Sequence, residues 1–119
     1  MSIPFLPSPI STPGPQRYYA KMVAERIHQH IQSILKDLKD DEDLSVTVPL
    51  ANGTEIAADF FGYRNPNLII VAGLDHHSDR VTVLVPHTSI QIVIRVVKKE
   101  PGKTKSLIGF QSPDPKDQA

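Results

Sequence analysis

The feature that most constrains this chain is a change in its hydrophobic period. Val23, Ile27, Ile31, Ile34 and Leu38 recur at spacings of three and four, which is one apolar stripe on an α-helix. After the acidic run Asp40-Asp41-Glu42-Asp43 the period drops to two, with Leu44, Val46, Val48 and Leu50 alternating with polar or small residues. That is the pattern of a half-buried strand. Asn52-Gly53 then supplies the left-handed backbone of a tight hairpin, and Ile56, Ala58 and Phe60 carry the alternation back to the loop "GYRNPN", Gly62 to Asn67. Three more runs follow: Leu68 to Gly73, Arg80 to Val85 and Ile90 to Val97. They are too β-branched and too short for helices.

One helix and five short strands are therefore expected, the helix over 17–39. Strands four and five are separated only by "PHTS", Pro86 to Ser89, where a proline without an N–H must break the ladder and bend the chain. A flat five-stranded sheet would leave two adhesive edges. The expected fold is thus mainly β with one N-terminal α-helix, a small five-stranded bent sheet closed into an Sm-like or SH3-like barrel over 44–98. The helix would cap one open end.

A chain of 119 residues is the length of one domain. Five of the 11 prolines fall before Gln16, so residues 1–16 read as a flexible, extended arm whose Phe5 and Leu6 are candidates for docking on a neighbour. The single domain spans 17–110. It ends in a short apolar segment, 106–110, whose Leu107, Ile108 and Phe110 should pack back on the barrel or pair with an edge, and 111–119 reads as a disordered tail.

Composition excludes several classes of function. With no cysteine, neither a disulfide framework nor a thiolate metal site is available, and a cytoplasmic setting is the expectation. "MSIPFLPSPI" has no basic stretch and too many prolines for a secretory signal, and no run approaches the ~20 apolar residues of a membrane helix. A formal net charge of zero argues against a broad electrostatic grip on nucleic acid. The charge is uneven, however: Asp37, Asp40, Asp41, Glu42 and Asp43 cluster after the helix, and Arg95, Lys98, Lys99, Lys103 and Lys105 after the last strand. Such runs are usually solvated faces, but head-to-tail subunits would bring these two together.

Candidate chemistry lies in three loops. "LDHHSD" sets His76 and His77 between Asp75 and Asp79; adjacent residues on extended backbone point to opposite faces, so all four reach one metal only if the turn curls. A plain turn is the expectation, with no metal or other cofactor. His87 and Ser89 suggest a nucleophilic pair, yet no orienting acid or oxyanion hole is recognisable nearby, and a corner in which His87 bonds backbone explains them as well. In "GYRNPN", Tyr63 offers a stacking face, Arg64 a planar cation and Asn65 an amide edge, suited to single-stranded bases or a protein partner. The alternative is that Asn65 and Asn67 cap their own turn while Tyr63 packs on the rim. His28 and His30 lie off the helical stripe and are expected in solvent.

A helix followed by five strands, with Asn52-Gly53 at the first hairpin and a one-turn corner before the last strand, resembles the Sm-like family, which includes the bacterial RNA chaperone Hfq. The resemblance covers residues 20–97. It implies the bent barrel, self-association by pairing of edge strands, and an RNA-contacting histidine at the corner, where His87 falls. The chain departs from the Hfq pattern at three positions: Arg64 stands for an acid, Pro66 for a base-stacking aromatic and Pro86 for a lysine. A second resemblance, to an uncharacterised bacterial domain family, rests on Gly62-Tyr63, Asn65-Pro66, Leu68-Ile69, Gly73, His87 with Ser89, and Ile108-Gly109-Phe110; it implies no activity. The functional expectation is a non-enzymatic module that pairs with itself through its edge strands. The alternative is a binder of single-stranded RNA or a protein partner with Tyr63, Arg64, Asn65, His87 and Lys98 as contacts, and no membrane role.

Overall fold

The computed structural model describes residues 17–112; the arm over 1–16 and the last seven residues lie outside the described residues. Helix α1, Tyr19–Lys36, is followed by five strands: β1 Glu42–Pro49, β2 Glu55–Arg64, β3 Leu68–Leu74, β4 Arg80–Pro86 and β5 Val93–Lys98. A two-residue strand, β6, comes last at Gly109–Phe110. The chain is mainly β with one helix, as its periodicity implies. The helix is shorter than expected at both ends; its C-terminus tightens and stops where Asp37 N–H donates to Ile34 O and Leu38 N–H to Leu35 O.

The strand order is β4-β3-β2-β1-β5, antiparallel throughout, with β6 added to β2 in parallel. Alternation decides which face is buried. Leu44, Val46 and Val48 of β1, Ile56, Ala58 and Phe61 of β2, and Ile69 and Val71 of β3 form the core under Ala20, Ala24 and Ile31 of α1. Full burial of a side chain such as Phe61 or Ile69 contributes about 1.5–3 kcal/mol.

Two local devices shape the sheet. The first hairpin closes through Leu50 N–H to Thr54 O and Gly53 N–H to Leu50 O, with Gly53 at φ +90° and Asn52 Oδ1 accepting from the amide and hydroxyl of Thr54. This three-residue loop needs one left-handed residue, and glycine takes that conformation without steric penalty. Further along, the β2–β3 register shifts between Ala58 and Phe60, so Asp59 is the extra residue of a bulge and β2 bends there. The Asp59 carboxylate pairs with Arg80. Gly73 lies inside this bend, where a β-carbon would collide with the Ala57 carbonyl.

The sheet is not closed into a barrel, contrary to the sequence expectation. After β4 the chain turns through Pro86 to Ser89, held by Ser89 N–H to Pro86 O and His87 N–H to Asn67 O, and ladder pairing resumes only at Val93. Strand β5 then lies along β1, from Thr47 with Val93 to Glu42 with Lys98. Closure would need β4 to pair with β5, and this path puts them at opposite ends of the strand order.

That register also places the charge clusters, in which Lys98 and Asp41 stay well exposed, as expected of solvated faces. Pairing β5 with β1 sets the basic end beside the acidic start within one molecule: Lys98 Nζ lies 3.4 Å from Asp41 Oδ2, and Lys105 Nζ donates to the Lys39 carbonyl at 2.9 Å. Asp43 accepts both the amide and the hydroxyl of Ser106, at 2.9 Å each. From there the C-terminal segment runs along one flank of α1 to β6. Phe110 packs between His28, with ring centroids 4.0 Å apart, and Phe61, at 6.1 Å. His28 is exposed, as its place off the stripe implies, while one face of its ring stacks on Phe110. Gln111, expected in the tail, belongs to the fold: its amide donates to Phe61 O and its Oε1 accepts from Tyr63 N–H at 2.8 Å. Ile108 packs on the core, whereas Leu107 remains 88% exposed.

Candidate functional site

The first candidate region is the corner where the β2–β3 loop, the β4–β5 turn and the start of α1 meet. A helix begins with amide donors that have no intrahelical acceptor, and the side chain of Tyr18 at the cap position does not cap them. The loop supplies acceptors instead. Pro66 O accepts from Ala20 N–H at 2.9 Å and Asn65 Oδ1 from Lys21 N–H at 3.2 Å. Asn65 is thus a cap delivered from 44 residues away rather than a free amide edge or the cap of its own turn. Asn67 O accepts from His87 N–H at 2.8 Å, with His87 Nδ1 3.3 Å away, and the His87 ring lies 5.5 Å from that of Tyr19.

These bonds redistribute the contacts expected from sequence. Tyr63 is only 4% exposed and belongs to the core, so its ring offers no face to a base. Arg64 is exposed, and it shares one end of the sheet with His87, since Arg64 pairs with Leu68 and Leu68 with Pro86. Lys98, on β5 at the far side of the sheet order, lies exposed 3.4 Å from Asp41. The five expected contacts therefore do not converge on one surface.

The "DHHSD" segment folds as a turn. Asp75 Oδ1 accepts from His77 N–H at 2.9 Å and Asp79 N–H at 3.0 Å, and Ser78 adopts φ +65°. The two backbone amides hold the Asp75 carboxyl below the ordinary carboxylate range, with the neighbouring histidines adding to the effect. His76 and His77 have ring centroids 3.9 Å apart. Among the described residues no group of three or more His, Asp or Glu side chains could hold a metal ion.

Sequence reasoning missed an apolar groove of about 780 Å³ along the flank of α1 away from the C-terminal segment. Its helix wall is Tyr19, Met22, Val23, Ile27 and Ile34, its far wall Ile92 and Ile94 with His87 at one end, and Arg26 and His30 bring the polar atoms. His30 is exposed, as expected, at the border of this groove. The volume is within the range of ligand and peptide clefts. It exists because α1 packs mainly on β2 and β3, leaving a gap between the helix and Ile92 and Ile94 among the described residues. The signal was present in the sequence: Tyr19 and Met22 widen the apolar stripe beyond one face.

The second exposed apolar surface lies on the end strands. Strands β4 and β5 each pair on one side only among the described residues. Leu84 is 57% exposed and Val96 51%. Val96 is set opposite the buried Leu44, so it faces the core side of the sheet and still lacks cover. No helix of the described residues is long and apolar enough to cross a membrane. No family model matches the chain, and no curated protein or solved structure matches it.

Proposed function

We propose that this chain is a non-enzymatic interaction module on an Sm-like bent sheet, and that it self-associates by pairing β4 of one copy with β5 of the next. The observation that carries this reading is the pair of end strands, each paired on one side only among the described residues. They terminate one continuous strand path, both are rich in valine, and Val96 projects from the core side with half its surface in water. Edge pairing supplies backbone hydrogen bonds and covers that surface in one step. Because β4 and β5 are different surfaces, the contact is heterologous, and repeating it generates a closed ring when the rotation per subunit divides a full turn.

Native mass spectrometry of the intact chain tests this. The expected result is one discrete oligomer that Val96→Glu dissociates, with the circular dichroism spectrum of the monomer retained. A monomer at tens of micromolar, or an oligomer indifferent to Val96→Glu, overturns the pairing.

Nucleic-acid binding is the second reading, favoured by the exposed Arg64 two strands from His87 at one end of the sheet. Its mark is a single-stranded RNA affinity that falls with salt and is lost in Arg64→Ala. Affinity unchanged in that variant counts against it.

A further inference from the structure

The apolar stripe of α1 is wider than the face the helix buries. At 100° per residue the buried positions Ala20, Ala24 and Ile31 centre on one line, and Ile27, Ile34, Val23 and Tyr19 lie progressively further to one side of it, with the exposed Met22 beyond them. The opposite side meets Phe110 and Gln111. One flank of the helix is thus covered by a segment of this chain, while the other is left as the groove against Ile92 and Ile94.

We propose that residues 1–16 of the same chain occupy this groove, with Phe5, Leu6 and Ile10 as anchors. Three observations select that occupant. The first is position, since the arm joins the fold at Arg17, two residues before Tyr19, whose ring lines one end of the groove. Tethering at that point gives an effective concentration in the millimolar range without any further contact.

The second observation is reach. The groove follows α1 from Tyr19 to Ile34, about 22 Å at 1.5 Å per residue. Leu6 lies thirteen residues before Tyr19, about 40 Å in a polyproline conformation at 3.1 Å per residue.

The third is chemistry. No side chain from Met1 to Gln16 is charged, and five of those residues are prolines without an N–H donor. Such a segment leaves few backbone donors unpaired on entering an apolar groove. The Tyr19 and His87 rings, 5.5 Å apart, form the kind of aromatic surface on which proline rings pack. This inference concerns the groove beside β5 rather than its hydrogen-bonding edge, so it stands or falls independently of the edge pairing.

The test uses the full chain, whose lack of cysteine makes introduced pairs unambiguous. Leu6→Cys with Met22→Cys is oxidised and compared with Leu6→Cys with Leu84→Cys, which places the second thiol on the outer strand β4 at the same tether. The expected result is an intrachain disulfide forming at least about ten-fold faster in the first pair, since docking adds to the tethered concentration at one site only. Equal rates overturn the proposal, and a predominantly interchain disulfide assigns the groove to a second copy instead. A second readout leaves the groove unmodified. The chain has two methionines, Met1 and Met22, so ¹³C-methyl spectra report Met22 directly, and Phe5→Ser with Leu6→Ser should shift its resonance. An unshifted Met22 methyl resonance also overturns the proposal.

Discussion

The two flanks of α1 are built from similar apolar material and end differently. On one, the segment from Lys105 to Gln111 is tied to its surroundings by side chains: Lys105 to the Lys39 carbonyl, Ser106 to Asp43, Phe110 to His28 and Phe61, and Gln111 to the backbone of β2. On the other, Val23, Ile27 and Ile34 face Ile92 and Ile94 across open space. The covered flank has specific polar partners at intervals, which fix where the apolar residues sit. The open flank has apolar walls and few polar groups, so it selects an occupant by shape and lack of charge. Apolar residues alone are enough to leave a surface in need of cover; directional bonds decide what covers it and in which register.

The largest effect that sharpens this comparison should come from the line between the flanks. Ile31 is fully buried under the sheet, and Ile31→Ala should lower unfolding stability by about 2–5 kcal/mol, read from urea denaturation. A loss under about 1 kcal/mol would mean that the helix is not seated as described. Next comes the covered flank. Phe110→Ala removes the ring between His28 and Phe61 and should cost about 1–3 kcal/mol, with hydrogen exchange rising at the Tyr63 and Gln111 amides before global unfolding. Unchanged exchange there would show that the C-terminal segment is not held by its aromatic.

Removing the cap at the shared start of both flanks is expected to matter less. Asn65→Ala should cost about 1 kcal/mol and increase exchange at the Lys21 amide, and Asn65→Asp should recover most of the loss because a carboxylate oxygen accepts the same bond. The smallest effect is in acid. Burial pushes the Asp43 carboxyl upward, but the amides of Ser106 and Leu44, the Ser106 hydroxyl and Lys105 outweigh it and hold the group below its ordinary value of 3.8. A carboxylate with a folded pKa below its unfolded one stabilises the fold above the unfolded value, and that contribution is lost as pH falls through the folded one. Titrating the Ser106 amide by NMR should therefore show release with a midpoint under 3.8, and Asp43→Asn should abolish the transition. A midpoint at or above 3.8 would remove Asp43 from the clamp.

How much of this was legible in the sequence depends on whether an element is specified by neighbours along the chain. The helix, the Asn52-Gly53 hairpin and the strand runs were legible because hydrophobic period and turn chemistry act within a few residues. The turn at Asp75 to Asp79 was legible for the same reason, its bonds all lying within the segment. The corner was read less well. Asn65 looked like a local turn residue or a ligand contact, and its acceptor reaches a helix 44 positions away. Tyr63 looked available for stacking, but the bend at Asp59 turns it into the core. The charge clusters read as solvated faces, and Lys98 and Asp41 are well exposed, but their placement side by side depends on the β1–β5 register.

Taken alone, the sequence determined a helix, five strands, the place of the hairpin and the residues able to form a core, since these follow from periodicity and backbone preference. Only the tertiary structure decided that the sheet stays open, that a sixth strand joins β2, and that the described residues cover one flank of the helix and leave the other open. Those outcomes depend on which edges meet and on the angle at which a helix settles over a bent sheet. Both are set by packing between residues far apart in the chain, which no local pattern encodes.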